Sequence, residues 1–156
     1  MNRVMVSAEE VPLPVWGKSL QSYALKVLSR LGRDKWDLSI LLCDDKTISA
    51  LNSRYRGKDE ATDVLSFSLN EGEVFPGSKA GRYAPGDIVI SLDTLRENAR
   101  RYNINEDEEL CRLLIHGILH LDGMDHCGNG EDEPMIRLQE GILTHLAGEY
   151  ILGRDI

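Results

Sequence analysis

The chain is poor in cysteine: there are three among 156 residues, and Cys43, Cys111 and Cys127 are scattered. An odd, dispersed set excludes a disulfide framework and points to a reducing compartment, the cytoplasm. Long hydrophobic runs are absent as well. No stretch reaches the length of about eighteen apolar residues that a membrane-crossing helix needs. The opening residues, Met1 to Glu10, hold no apolar core long enough for a signal peptide. Positive charge is in short supply, with 18 Lys and Arg against 26 Asp and Glu and a formal net charge of -8. This balance excludes diffuse attraction to nucleic acid, so any such binding requires basic residues gathered in one patch. No internal repeat, low-complexity tract or domain boundary is visible. The expectation is one domain spanning residues 1–156, long enough for a real core.

Histidine is scarce too, yet its placement is informative. Three of the four histidines fall in His116-Gly-Ile-Leu-His120-Leu-Asp-Gly123-Met-Asp-His126. His116 and His120 are four apart, so on a helix they stack on one face, a turn apart. That spacing lets two imidazoles reach one metal ion. Gly123 suits a helix end, because glycine accepts the left-handed conformation that reverses the chain. His126 can then return as a third ligand. Three nitrogen ligands with a fourth position left to water make the pattern of a catalytic zinc site. The spacing H-x-x-x-H-x-x-G-x-x-H also echoes the metzincin peptidases. Those enzymes carry Glu directly after the first histidine as general base. Gly117 stands there instead, so the peptidase's base is missing.

Periodicity predicts the frame around this motif. A helix is expected from about Val15 to Leu31, with Trp16, Leu20, Tyr23, Ala24, Val27, Leu28 and Leu31 inward. Trp36 to Leu42 alternates as a strand. Asp44 or Asp45 caps a short helix with Ile48, Leu51 and Tyr55 inward. Asp63 to Leu69 is a second strand, Asn70 to Pro85 a loop, and Gly86 to Ser91 a third, inner strand. A helix from Leu92 to Tyr102 turns Leu92, Leu95, Ala99 and Tyr102 inward. Asn105 and Glu108 cap the histidine helix, from about Glu106 to Asp122. On it Leu110, Leu114, Gly117, Ile118 and Leu121 form an apolar stripe, with His116 and His120 on its flank. They are expected at the border of core and solvent. A last helix opens near Pro134 with Met135, Leu138, Ile142 and Leu146 inward. His145 is read as packed near that face rather than as a fourth ligand, and Cys127 as a bystander thiol. Arg54, Arg56 and Lys58 form one basic cluster, and Arg96, Arg100 and Arg101 another. Each is either a backbone track for single-stranded nucleic acid or a solvated helix end.

With these residues in view, the chain resembles the YbeY family of endoribonucleases, the rRNA maturation factors. The histidine motif carries the resemblance, joined by Leu51-Asn-Ser-Arg-Tyr-Arg56-Gly-Lys-Asp59, Thr62-Asp-Val-Leu-Ser-Phe67 and Gly86-Asp-Ile-Val-Ile-Ser91. Met124 replaces the family's usual tyrosine, and Ala61 and Ser68 stand where proline is frequent. The resemblance implies an α+β fold: a small mixed sheet flanked by about five helices, with a zincin-like metal helix. It implies a zinc-dependent, single-strand-selective endoribonuclease with one ion per chain, held by His116, His120 and His126. It implies Arg56 as the arginine facing the metal cleft. Its substrate would be small-subunit rRNA near the 3′ end, in maturation and ribosome quality control, with the ribosome and an Era-type GTPase as partners.

In such a site zinc lowers the pKa of bound water and polarises a phosphoryl oxygen. Arg56 supplies a guanidinium fork for the phosphate's growing charge. Asp122 and Asp125 are read as partners that orient the ligand imidazoles, with assistance to a zinc-bound hydroxide as the alternative role. Two other classes are set against this reading. One is a metzincin-like metallopeptidase, and the other is a non-catalytic ribosome-assembly factor with a structural metal.

Overall fold

The computed structural model describes residues 1–68, 81–124 and 134–152. Four strands and five helices follow one another among them: β1 (Arg3–Ala8), α1 (Gly17–Arg30), β2 (Trp36–Cys43), α2 (Asp45–Arg56), β3 (Val64–Ser68), β4 (Tyr83–Ser91), α3 (Leu92–Arg101), α4 (Glu106–Leu121) and α5 (Pro134–His145). The sheet order is β1-β2-β4-β3. β1, β2 and β4 run parallel, and β3 pairs antiparallel with β4. The sheet is therefore mixed and the fold α+β, as expected.

Strand alternation divides the core between two faces. Leu38, Ile40, Leu42, Ile88 and Ile90 join the main core with α1 and α4. Val89 and Cys43 meet Ile48 of α2 in a smaller cluster on the other face, with Leu41, Leu51, Leu65 and Phe67 around it. α4 carries the largest share of burial, with Leu110, Leu114, Ile115, Ile118 and Leu119 wholly enclosed. Its start is fixed by Asn105, whose side chain accepts from the Asp107 N–H. Four acidic residues in its first turn suit the positive end of the helix dipole. Behind that turn, the buried Asp107 carboxylate accepts the Ile151 and Leu152 N–H groups, both at 2.7 Å, and so ties the chain's last described turn to α4.

The structure departs from these expectations at five places. β1 was not anticipated. Val4 is buried and Met5 exposed, an alternation too short to stand out without its parallel partner β2. β4 begins at Tyr83, inside the expected loop, and its pairing with β2 shifts register between Trp36 and Leu38. That irregularity accommodates Pro85, which a regular inner strand excludes. Tyr55, Tyr102 and Leu138 are exposed rather than inward. On α5 the inward residues are Met135, Gln139 and Ile142, so the buried stripe is rotated from the one expected. The same rotation leaves His145 exposed at the helix end, not packed. Residues 69–80 of the expected strand and loop, and residues 125–133, lie outside the described residues.

Candidate functional site

α4 brings His116 and His120 to the place their spacing predicts. Both are half-buried, between enclosed neighbours and solvent. Their rings lie 4.6 Å apart, centroid to centroid, at 79°. The two Nε2 atoms face each other at 3.1 Å. Two zinc–nitrogen bonds of about 2.0–2.1 Å in tetrahedral geometry would hold their nitrogens roughly 3.3 Å apart. The pair therefore fits joint ligation of one ion. Gly123 ends the helix at φ +92°, in the left-handed region, and its N–H returns to the His120 carbonyl. No third His, Cys, Asp or Glu joins the pair among the described residues. His126, the expected third ligand, lies outside them, as do Asp125 and Cys127.

Gly117 has a packing reason. A Cβ placed there would stand 3.0–3.2 Å from three side-chain atoms of Ile88. α4 thus crosses β4 closely enough to exclude a side chain. Ser66 of β3 adds a 3.4 Å hydrogen bond from its hydroxyl to the Gly117 carbonyl. The position where a metzincin keeps its glutamate faces the sheet, not the cleft.

His116 and His120 line a cleft of about 650 Å³ that also takes in Tyr55, Arg56, β3 and Met124. Arg56, at the last turn of α2, donates to the Ser66 carbonyl at 2.6 Å. Its guanidinium stands 5.3 Å from the Phe67 ring centroid. Phe67 meets Tyr55 edge-to-face at 5.4 Å, and the Arg54 guanidinium stands 5.3 Å from the Tyr55 ring. Gly57 at φ +70° closes α2 and turns the chain away just past Arg56. The structure therefore brings three of the four candidate residues, Arg56, His116 and His120, around one cleft.

The chain matches the family model "Endoribonuclease YbeY" over residues 7–147. It is 46% identical over 144 residues to an Endoribonuclease YbeY of Treponema pallidum, covering 92% of this chain and 89% of the relative. It is 41% identical to that of Aquifex aeolicus over 147 residues, covering 94% and 93%. The chain belongs to the YbeY family of endoribonucleases. The fold agrees with a solution structure from Thermotoga maritima, with a TM-score of 0.66 and 28% identity over 94% of this chain and 90% of that one. As a YbeY endoribonuclease it is a nuclease hydrolase acting on RNA. No helix among the described residues is long and apolar enough to cross a membrane.

Three features of this YbeY chain differ from, or add to, the reading of its sequence. Asp122 does not orient a histidine: both its oxygens are taken by Arg33, each at 2.9 Å, at the end of α4 facing α1. Two of the three arginines in the second basic cluster are paired locally, Arg96 against Asp93 and Arg100 against Glu97 on the same helix, while Arg101 stands over the Tyr102 ring. Gln139 was missed. It is buried on α5, and its Oε1 lies 2.7 Å from His116 Nδ1. The available signal was a lone amide inside an apolar stripe, four residues from Met135 and three from Ile142.

Proposed function

We propose that the endoribonuclease uses a single zinc ion held by His116, His120 and His126, and that it selects single-stranded RNA. The 3.1 Å approach of the two Nε2 atoms inside the cleft is the observation that carries this reading. A zinc ion bound there supplies Lewis-acid polarisation and activation of water. Arg56 binds the scissile phosphate and offsets its growing charge, held in place by the Ser66 carbonyl and the Phe67 ring. The exposed Tyr55 ring beside Phe67 provides a surface for an unstacked base, which a duplex does not offer. His120 and His116 hold the ion, and Gly117 keeps the general base of a peptidase out of the site. By family likeness the substrate is the 3′ region of small-subunit rRNA in the cytoplasm, with the ribosome and an Era-type GTPase as partners.

One assay tests this. Purified protein is given matched single- and double-stranded RNA before and after exhaustive chelation, then zinc. Cleavage of the single strand, lost with the metal and restored by zinc, is expected. His120→Ala should keep its fold and lose both bound zinc and cleavage. Arg56→Ala should keep zinc and cut about a hundredfold or more slowly. Cleavage that survives complete metal removal overturns the zinc reading, and equal cutting of both RNAs overturns the strand selectivity.

A further inference from the structure

We infer that Gln139 is a positioning residue that locks His116 as the tautomer carrying its proton on Nδ1, with the Nε2 lone pair turned into the cleft. The inference rests on the zinc reading for its purpose, but its geometry stands on the contacts between α4 and α5. Gln139 is 5% exposed, so its amide finds its partners inside the protein. Its Nε2 donates to Glu140 Oε2 at 3.0 Å, and its Oε1 lies 2.7 Å from His116 Nδ1. An amide has one accepting and one donating end, and a carboxylate only accepts. Glu140 therefore dictates which end of the amide faces the histidine. Were the amide reversed, two acceptor oxygens would oppose each other at Glu140.

Glu140 is itself fixed. Arg112, on α4 one turn before His116, takes both its oxygens through Nε and Nη2, each at 3.0 Å. The same guanidinium reaches Glu108 at 3.2 Å. Its hydrogen bonds hold the Glu140 carboxyl below the usual carboxylate range, so that group stays an acceptor at neutral pH. The order of control runs from Arg112 to Glu140, then Gln139, then His116. An Oε1 acceptor requires a proton on Nδ1, and a neutral imidazole then has its lone pair on Nε2. That is the atom 3.1 Å from His120 Nε2. The helix that bears two ligands thereby orients one of them through its neighbour α5. Rotamer and tautomer are set before any ion arrives, which lowers the ordering cost of binding it.

The test uses the full chain labelled with ¹⁵N at histidine, first zinc-free, in long-range nitrogen–proton correlation spectra. Wild-type His116 should show the Nδ1–H tautomer. Gln139→Met, of similar size and without an acceptor, should shift His116 toward Nε2–H. It should also weaken zinc binding, measured against a chromophoric chelator, by about ten- to a hundredfold. Gln139→Glu combined with Glu140→Gln exchanges acid and amide, keeping an acceptor toward His116 and a donor between the two side chains, and should restore both. Glu140→Ala frees the amide to turn over and should move both readouts the same way by less; it takes the place of Gln139→Met if that chain does not fold. A folded Gln139→Met chain with unchanged tautomer and zinc affinity overturns the inference. A wild-type chain that shows the Gln139-dependent tautomer but binds no zinc overturns the metal reading and leaves the positioning role intact.

Discussion

Asp87 is a half-buried carboxylate in β4, paired in register with Ser39 of β2 and Phe67 of β3. By alternation it points away from Ile88, and so away from α4 and the histidines. Burial raises its pKa, and a hydrogen bond from the Ser39 hydroxyl only partly opposes the rise. A folded-state pKa above the unfolded one means that the folded chain holds the proton more tightly. Asp87 thus favours folding below the ordinary aspartate range, and that contribution is lost as pH rises through the raised value. Asp87→Asn should be more stable than wild type at neutral pH, and the difference should vanish in acid once the Asp87 carboxyl is protonated in both the folded and the unfolded chain. Urea unfolding at several pH values measures this, and a neutral-pH loss of stability in the variant would contradict it. The thiols tell a related story. Burial pushes Cys43 and Cys111 up to about 12, so both stay protonated at neutral pH and act as small apolar side chains. That agrees with a scattered cysteine set with no framework to build.

Among the elements, α4 decides most, and two glycines show how differently helices use that residue. Gly117 lies where α4 crosses β4, with Ile88 3.0 Å from any added Cβ, whereas a Cβ at Gly141 on α5 would meet nothing within 4 Å. Alanine at an exposed helix position gains about 1 kcal/mol over glycine. Overpacking a tight core contact costs about 1–3 kcal/mol. Gly141→Ala should therefore stabilise by up to about 1 kcal/mol, and Gly117→Ala should destabilise by about 1 kcal/mol, the crowding outweighing the helix gain. Denaturant midpoints of the two variants give the signs directly. α4 was legible because sixteen residues of helical period, an Asn cap and a closing glycine agree with one another. The histidines inherited their position from that agreement. β1 was illegible for the opposite reason: six residues with two valines carry little pattern, and pairing with β2 supplies what the local sequence lacks. Proline concealed the start of β4, since a register irregularity is a property of two strands. Gln139 escaped because a polar residue on a helix reads as surface until its partner His116 is known. The cleft-side grouping of Tyr55 and Phe67 joins the end of α2 to β3, and no spacing within either element encodes it.

At the scale of the molecule, a chain of net charge -8 must bind a polyanion through a small local surface. The ion pairs show which cations are committed elsewhere. Arg33 is bound to Asp122, Arg82 to Asp37, Arg112 to Glu140 and Glu108, and Arg96 and Arg100 of α3 to acids on their own helix. Arg54 and Arg56 at the end of α2 stand over the Tyr55 and Phe67 rings, as Arg101 stands over Tyr102 at the end of α3, and what distinguishes α2 is that Arg56 lines the cleft. RNA affinity should therefore be local, and its salt dependence shallow. Each phosphate neutralised on a single strand contributes a slope of about -0.7 to log K against log salt, so two or three contacts give roughly -1.4 to -2. Substituting Arg54 and Arg56 together by Gln should flatten the slope by about 1.4. Substituting Arg96 and Arg100 should leave it nearly unchanged, because their partners already neutralise them. Fluorescence anisotropy with a short, unstructured RNA under non-cleaving, zinc-free conditions measures both. An equal loss from the α3 pair would show that the strand runs over α3 as well, and that the acidic partners release their arginines when RNA arrives. The steeper the wild-type slope, the more of the basic surface outside the cleft must take part, and a slope beyond about -4 would require six or more phosphates, more than the end of α2 can reach.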